Sequence, residues 1–392
     1  MRIGQTSIVV FFSLLASSVL GFAATLYFAR VLGAEVLGFY SLILVVTQWL
    51  KLGGDIGVAS SMTKRISEDD RPGAYFTAGV MTIGVLAIGC SGIVFLFRSA
   101  VNSYVGVDAA LFVILLVFVG LFSSLVNAGL NGSQLVHVTG LLGPARTGLR
   151  SLVQILLVLR GYGLTGMILG HAISGLLIGV VGSFFLPVGL KRPRFEDFRS
   201  LFDFAKFSWL GSLQTRSFND VDVLVLGALV SPALVGVYSV VWNLTSFIGT
   251  FGSSIRKTTF PELSRADADE KRELLSTVIT DSLAYNGLIA IPGLFGGILV
   301  ADRLLLIYGE KFTEGATVLG LLILAMLIYD YQNQLSNALN AIDRPDISFR
   351  INLVFVLVNL VLNVGLVLLI GWVGAAIATV LAATVGLLLA FY

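Results

Sequence analysis

Residues 18–41 read SVLGFAATLYFARVLGAEVLGFYS: an apolar run closed by Arg30, a turn at Gly33 and a second apolar run. A weaker copy of the second half returns about 200 residues later, where Leu226-Gly227-Ala228 precedes Leu234-Val235-Gly236-Val237-Tyr238-Ser239. The shared pattern, Gly38/Tyr40/Ser41 against Gly236/Tyr238/Ser239, has an offset of 198, and Gly163/Gly166 against Gly371/Gly374 has one of 208. Two separate anchors with nearly equal offsets imply duplication of a six-span membrane unit and not a solenoid.

Composition sets the solvent. Of 392 residues, 56% are hydrophobic and only 12% charged, about half the charged share of a soluble domain, so lipid must surround most of the chain. The net charge of +2 gives no basis for a nucleic-acid partner. Cys90 stands alone inside an apolar run, which excludes a disulfide framework and a cysteine-ligated zinc site. The first apolar run, 6–29, is too long for a signal-peptide core and is followed by further spans.

A helix needs about 20 apolar residues to cross the hydrocarbon. Twelve runs qualify: 6–28, 37–62, 75–97, 111–136, a short one at 145–160, 163–187, 205–230, 235–255, 280–300, 315–340, 347–370 and 372–392. With the N-terminus cytoplasmic, 18 of the 25 Lys and Arg residues fall on inner segments, Arg146, Arg150, Arg256 and Lys257 among them, and 5 on outer ones. That asymmetry is the one expected of retained cytoplasmic charge. The two left over, Lys51 and Arg216, lie within spans.

Two cytoplasmic segments stand apart. KRPRFEDFRSLFDFAKF, residues 191–207, interleaves Phe195, Phe198, Phe202 and Ala205 with basic residues, as a helix lying on the inner membrane surface would. It separates an N-terminal six-helix bundle, 1–190, from a C-terminal one, 205–392. In PELSRADADEKRELLST, residues 261–277, Ser264 and Asp267 form a capping box ahead of a solvated helical stretch.

Several of these motifs together resemble a family. Ala29-Arg30-Val31-Leu32-Gly33 with Gly38 and Tyr40, Asp55-x-Gly57, Thr63-Lys64-Arg65-Ile66 and Phe260-Pro261-x-Leu263-Ser264-Arg265 are similar to segments of the oligosaccharide flippases. So are Tyr308-Gly309-x-x-Phe312, Asn340-Ala341-x-x-Arg344-Pro345, Arg350-Ile351-Asn352, Asn359 to Asn363 and 371–379. These flippases belong to the multidrug/oligosaccharidyl-lipid/polysaccharide exporter superfamily, which includes polysaccharide-repeat translocases and lipid II flippases. The match runs through the whole chain in order. Family members usually carry about fourteen helices, so a chain ending after the twelfth is expected to be a short form or a truncated one. Lipid II flippases carry arginines where this chain has Ser18 and Ala24, which makes a peptidoglycan precursor a poor substrate candidate.

The resemblance implies an all-α integral membrane protein of two pseudo-symmetric six-helix bundles around a central cavity. It implies a multi-pass protein of the cytoplasmic membrane that moves a polyprenyl-phosphate- or pyrophosphate-linked oligosaccharide by alternating access. Membrane lipids and glycosyltransferases or a polymerase of the same pathway are the expected partners, with no cofactor, no metal and no nucleic acid.

The residues point to where such a site would lie. A charge held mid-membrane costs several kcal/mol unless it meets a partner or a polar cavity. Lys51, with Asp55 one turn away, and Arg216, with Asp220 one turn away, meet that criterion, as does the stripe Asp330, Gln334, Asn337. Lys51, Arg216 and Arg30 would hold the phosphate-sugar head; the two pairs are equally readable as helix-packing ion pairs, and Arg30 as an interfacial anchor. His171 reads as a packed, hydrogen-bonded side chain. A cation-coupled exporter of small amphipathic compounds is the alternative, in which Asp55, Asp220, Asp222 and Asp330 would dominate; a non-transporting scaffold is a third reading. An enzyme is disfavoured: neither histidine has metal-site spacing, and no phosphate-binding Gly-Lys-Ser/Thr loop is present.

Overall fold

The computed structural model describes the backbone of residues 3–68, 71–269, 271–342 and 344–391. Side chains are described from Ser17 onward, except at 206–208, 210–212, 214, 257 and 345. Arg2, residues 69–70 and the side chains of Lys206, Phe207 and Lys257 therefore lie outside the described residues.

Every element is helical among the described residues, in two compact units, Met1–Leu213 and Gln214–Tyr392. The first unit holds α1 (Ile3–Asp55), α2 (Val58–Glu68), α3 (Pro72–Leu96), the short α4 (Arg98–Val105), α5 (Ala110–Gly132), α6 (Val136–Leu159) and α7 (Gly163–Ser183). The unit boundary falls within α8 (Phe195–Leu229). The second holds α9 (Pro232–Ala268), α10 (Arg272–Leu306), a 3-10 turn at Glu310–Gly315, α11 (Ala316–Ala341), α12 (Pro345–Ile370) and α13 (Val373–Phe391).

Nine of these stretches are long and apolar enough to cross a membrane, and the first of them, Ser17–Asp55, contains two helices. They meet at Gly33, whose φ of 80° and ψ of 176° break the ladder. Such a φ strains any residue with a Cβ, so glycine is the residue that lets two spans follow without a loop. The expected spans at 145–160 and 205–230 correspond to α6 and α8; Arg146 and Arg150 in one, and Arg216, Asp220 and Asp222 in the other, accompany their weaker apolar character.

Three local expectations are corrected. The span read as 37–62 breaks at Ile56 and Gly57, both with positive φ, and resumes as α2. The Gly140–Pro144 stretch, read as a turn, lies inside α6, which starts at Val136. Proline withholds one N–H there, yet the helix continues through it. Ser264 and Asp267 do not open a helix: α9 runs through Pro261 to Ala268, and α10 starts only at Arg272.

Hydroxyls inside the spans are satisfied locally. Thr25, Thr47, Thr82, Thr245 and Thr384 each donate to the carbonyl four residues earlier, at 2.7–3.0 Å. Lipid offers no other acceptor, so the helix supplies one. At the cytoplasmic segment, Asp197 is fully buried and accepts from Arg71 Nη2 at 2.8 Å and from the backbone N–H of Arg194 at 2.7 Å. Ser61 donates to the Leu201 carbonyl at 2.9 Å, so the start of α8 is fastened to α2 and α3. Phe195 and Phe202 stay exposed, on the side away from that contact.

Candidate functional site

In the first unit the polar chemistry gathers on α1, α6 and α7. Gln154 of α6 donates to the Tyr40 hydroxyl at 2.9 Å and to the Met167 carbonyl at 2.6 Å. Tyr40 in turn lies 3.0 Å from His171 Nδ1, so His171 is the hydrogen-bonded side chain the sequence suggested. Helices α6 and α7 come this close because Gly170 faces Gln154; a Cβ there would stand 2.6 Å from Gln154 Cγ.

One and two turns before Gln154 on the same helix come Arg150 and Arg146. Both fall within the expected short run 145–160 and were counted toward the inner side; they sit well inside the 24-residue α6. Arg146, Arg150 and Lys51 all lie within electrostatic reach of His171. Among the described residues no carboxylate forms an ion pair with Arg146 or Arg150, and Arg146 Nε is buried with no hydrogen-bond partner. Helix α6 meets the Ser18 end of α1 directly, through a 2.9 Å bond from Ser17 Oγ to the Pro144 carbonyl. The Lys51 side chain runs along Gly120 of α5, where a Cβ would come within 3.2 Å of its Cδ. Asp55 Oδ1 accepts the Ala59 N–H at 2.8 Å, which caps the start of α2. Arg30 is exposed, one turn before the break at Gly33.

In the second unit, among the described residues, Arg216, Asp220, Arg256 and Asp330 are held in ion pairs and Asp222 by hydrogen-bond donors. Arg216 Nη1 stands 3.1 Å from Asp220 Oδ2, as the i,i+4 spacing predicts. Arg256 Nη1 stands 2.8 Å from Asp330 Oδ1. Arg256 follows the expected span 235–255 but lies on the same continuous helix α9, and it supplies the charge that Asp330 lacks on its own helix. The rest of the stripe stitches α11 to α9: Gln334 donates to the Gly252 carbonyl and Asn337 to the Arg256 carbonyl, each at 3.3 Å. Asp222 is buried and takes donors from three other helices: Tyr238, Asn363 at 2.8 Å, and Thr379 at 2.8 and 3.0 Å.

Tyr238 is the repeat partner of Tyr40, and Thr379 stands 208 residues after His171, the offset of the second sequence anchor. Both copies therefore tie the repeated tyrosine into a buried polar knot. Only the second copy contains a carboxylate. A cavity of about 450 Å³ opens between α8, α9 and α11, with the Arg256–Asp330 pair in its wall. No group of three His, Cys, Asp or Glu side chains converges among the described residues. Of the residues marked from sequence, Asp330 lines this cavity, Gln334 and Asn337 bind backbone beside it, and Lys51, Asp55 and Arg30 belong to the other unit.

The fold has known counterparts. The inward closed conformation of the lipid II flippase MurJ superposes with a TM-score of 0.85 over 98% of this chain and 87% of that one, at 15% identity. An inward-facing multidrug resistance MATE family transporter gives 0.74 over 95% and 94%, at 17% identity. These likenesses define an all-α, multi-pass membrane transporter fold. Sequence comparison goes further. The probable flippase AglR of Haloferax volcanii is 30% identical over 99% of this chain and 83% of its own length, and a probable low-salt glycan biosynthesis flippase of the same organism is 28% identical over the same shares. The family model described as "Polysaccharide biosynthesis protein" matches residues 27–317, and the chain belongs to that family.

Proposed function

We propose that this protein is a flippase that moves a polyprenyl-phosphate- or pyrophosphate-linked oligosaccharide from the inner to the outer leaflet of the cytoplasmic membrane. The N-terminus is cytoplasmic, and the cavity is exposed alternately to each side as the bundles 1–190 and 205–392 rock. The observation that carries the reading is the cationic face of the first unit. Among the described residues Arg146 and Arg150, within α6, form no ion pair with a carboxylate, and with Lys51 they lie within electrostatic reach of His171. Such charge is tolerated where an anion arrives to meet it, and a lipid-linked phosphate is an anion that enters from the membrane itself. The names of the relatives, flippases of glycan assembly, agree with this substrate class. Glycosyltransferases or a polymerase of the same pathway would supply and receive the glycan.

Lys51 and the two α6 arginines hold the phosphate in this reading, and Arg216 contributes only where a ligand displaces Asp220. A cation-coupled multidrug exporter would need carboxylates free to take up a cation. Asp220 and Asp330 instead each hold an arginine. The test is accumulation of lipid-linked glycan on the inner leaflet in cells carrying Lys51→Ala with Arg146→Gln and Arg150→Gln. Normal externalisation with all three changes would sink the mechanism.

A further inference from the structure

We propose that the cavity of the second unit is a subsite for neutral sugar residues of the transported glycan. The proposal rests on the flippase reading and adds a division of labour to it. The cavity, at about 450 Å³, has the size of a small-molecule site. Its only ionised lining groups among the described residues are Arg256 and Asp330, which neutralise each other at 2.8 Å. A phosphate entering it would have to break that pair and leave a buried carboxylate uncompensated, so anions are disfavoured.

What remains is hydroxyl and amide chemistry. Ser246 and Ser253 use their hydroxyl protons on the Trp242 and Thr250 carbonyls, at 2.7 and 2.9 Å. Their oxygens are left as acceptors, and sugar hydroxyls are donors. Asn219 adds a carboxamide that gives and takes. Phe218 and Tyr329, stacked on each other, add apolar surface to the lining.

The experiment measures equilibrium binding to the full chain in lipid nanodiscs. The probes are a polyprenyl phosphate bearing a neutral disaccharide, the same lipid without sugar, and the same lipid bearing a disaccharide with one uronic acid. The neutral disaccharide lipid should bind the wild type tightest. Asn219→Leu and, from the opposite wall, Ser253→Val should each weaken it about tenfold, while the sugar-free lipid is unaffected. Equal loss for sugar-free and sugar-bearing lipid would make the cavity a phosphate site and overturn the proposal. No loss with either variant, or tighter binding of the uronate form, would overturn it too. A wild type that binds none of the lipids breaks the flippase reading itself, an outcome distinct from wild-type binding that the cavity variants leave untouched.

Discussion

The two copies of the repeat use the same tyrosine differently. Tyr40 joins Gln154 and His171, groups without a fixed negative charge, and the arginines beside them have no acidic partner. Tyr238 joins a carboxylate, Asp222, and the second unit's arginines at 216 and 256 are each matched by an aspartate. Both tyrosines sit in hydrogen-bonded networks, but the charge around them differs. Among the described residues the α6 arginines of the first unit have no ion-pair partner, whereas Arg216 and Arg256 of the second do. A substrate with an anionic head and a polyhydroxylated extension is divided along that line.

The largest test of this contrast is Arg256→Leu. It leaves Asp330 buried without its cation and should cost about 3–5 kcal/mol in thermal unfolding. Adding Asp330→Leu should recover most of that loss, and a single variant as stable as wild type would show that the pair is not what balances the second unit. The first unit should answer in the opposite way. Arg146→Gln with Arg150→Gln removes two like charges and should leave unfolding within about 0.5 kcal/mol of wild type. Externalisation of lipid-linked glycan should nevertheless fall about tenfold or more. Marked destabilisation of that double variant would mean the arginines are structural, and the contrast would fail.

The sequence showed the all-helical membrane architecture and the Arg216–Asp220 pair because each depends on local spacing. It misplaced what depends on helix ends. Gly140-Leu-Leu-Gly-Pro144 has turn composition, so the run at 145–160 looked short, although the helix starts at Val136 and crosses the proline. The partner role of Arg256 was missed because α9 runs far beyond the apolar run that marked its span. One signal was available: Asp330 has no basic residue within a turn on its own helix, so its counter-charge had to come from elsewhere. The Asp222 knot, assembled from α8, α9, α12 and α13, leaves no local trace beyond isolated polar letters in apolar runs.

Two smaller measurements sharpen the comparison between the tyrosines. Asp222→Asn keeps the shape but weakens charge-assisted bonds from Tyr238, Asn363 and Thr379, and should lower stability by about 2 kcal/mol. Tyr40→Phe removes neutral hydrogen bonds only and should cost about 1 kcal/mol. Equal costs at both positions would mean that the carboxylate adds nothing to the second knot.

The threonines that bond to their own helices have a mechanical consequence. A hydroxyl that donates four residues back asks nothing of the neighbouring helix, so two such surfaces can slip past one another without stranding a donor in lipid. The Asp222 knot has the reverse property: its donors come from three helices, and none can shift alone. Within the second unit, α8, α9, α12 and α13 should therefore travel as one block, and slippage should be confined to faces carrying only self-bonded hydroxyls. Amide exchange slow and uniform across the four knotted helices would be the signature of that partition.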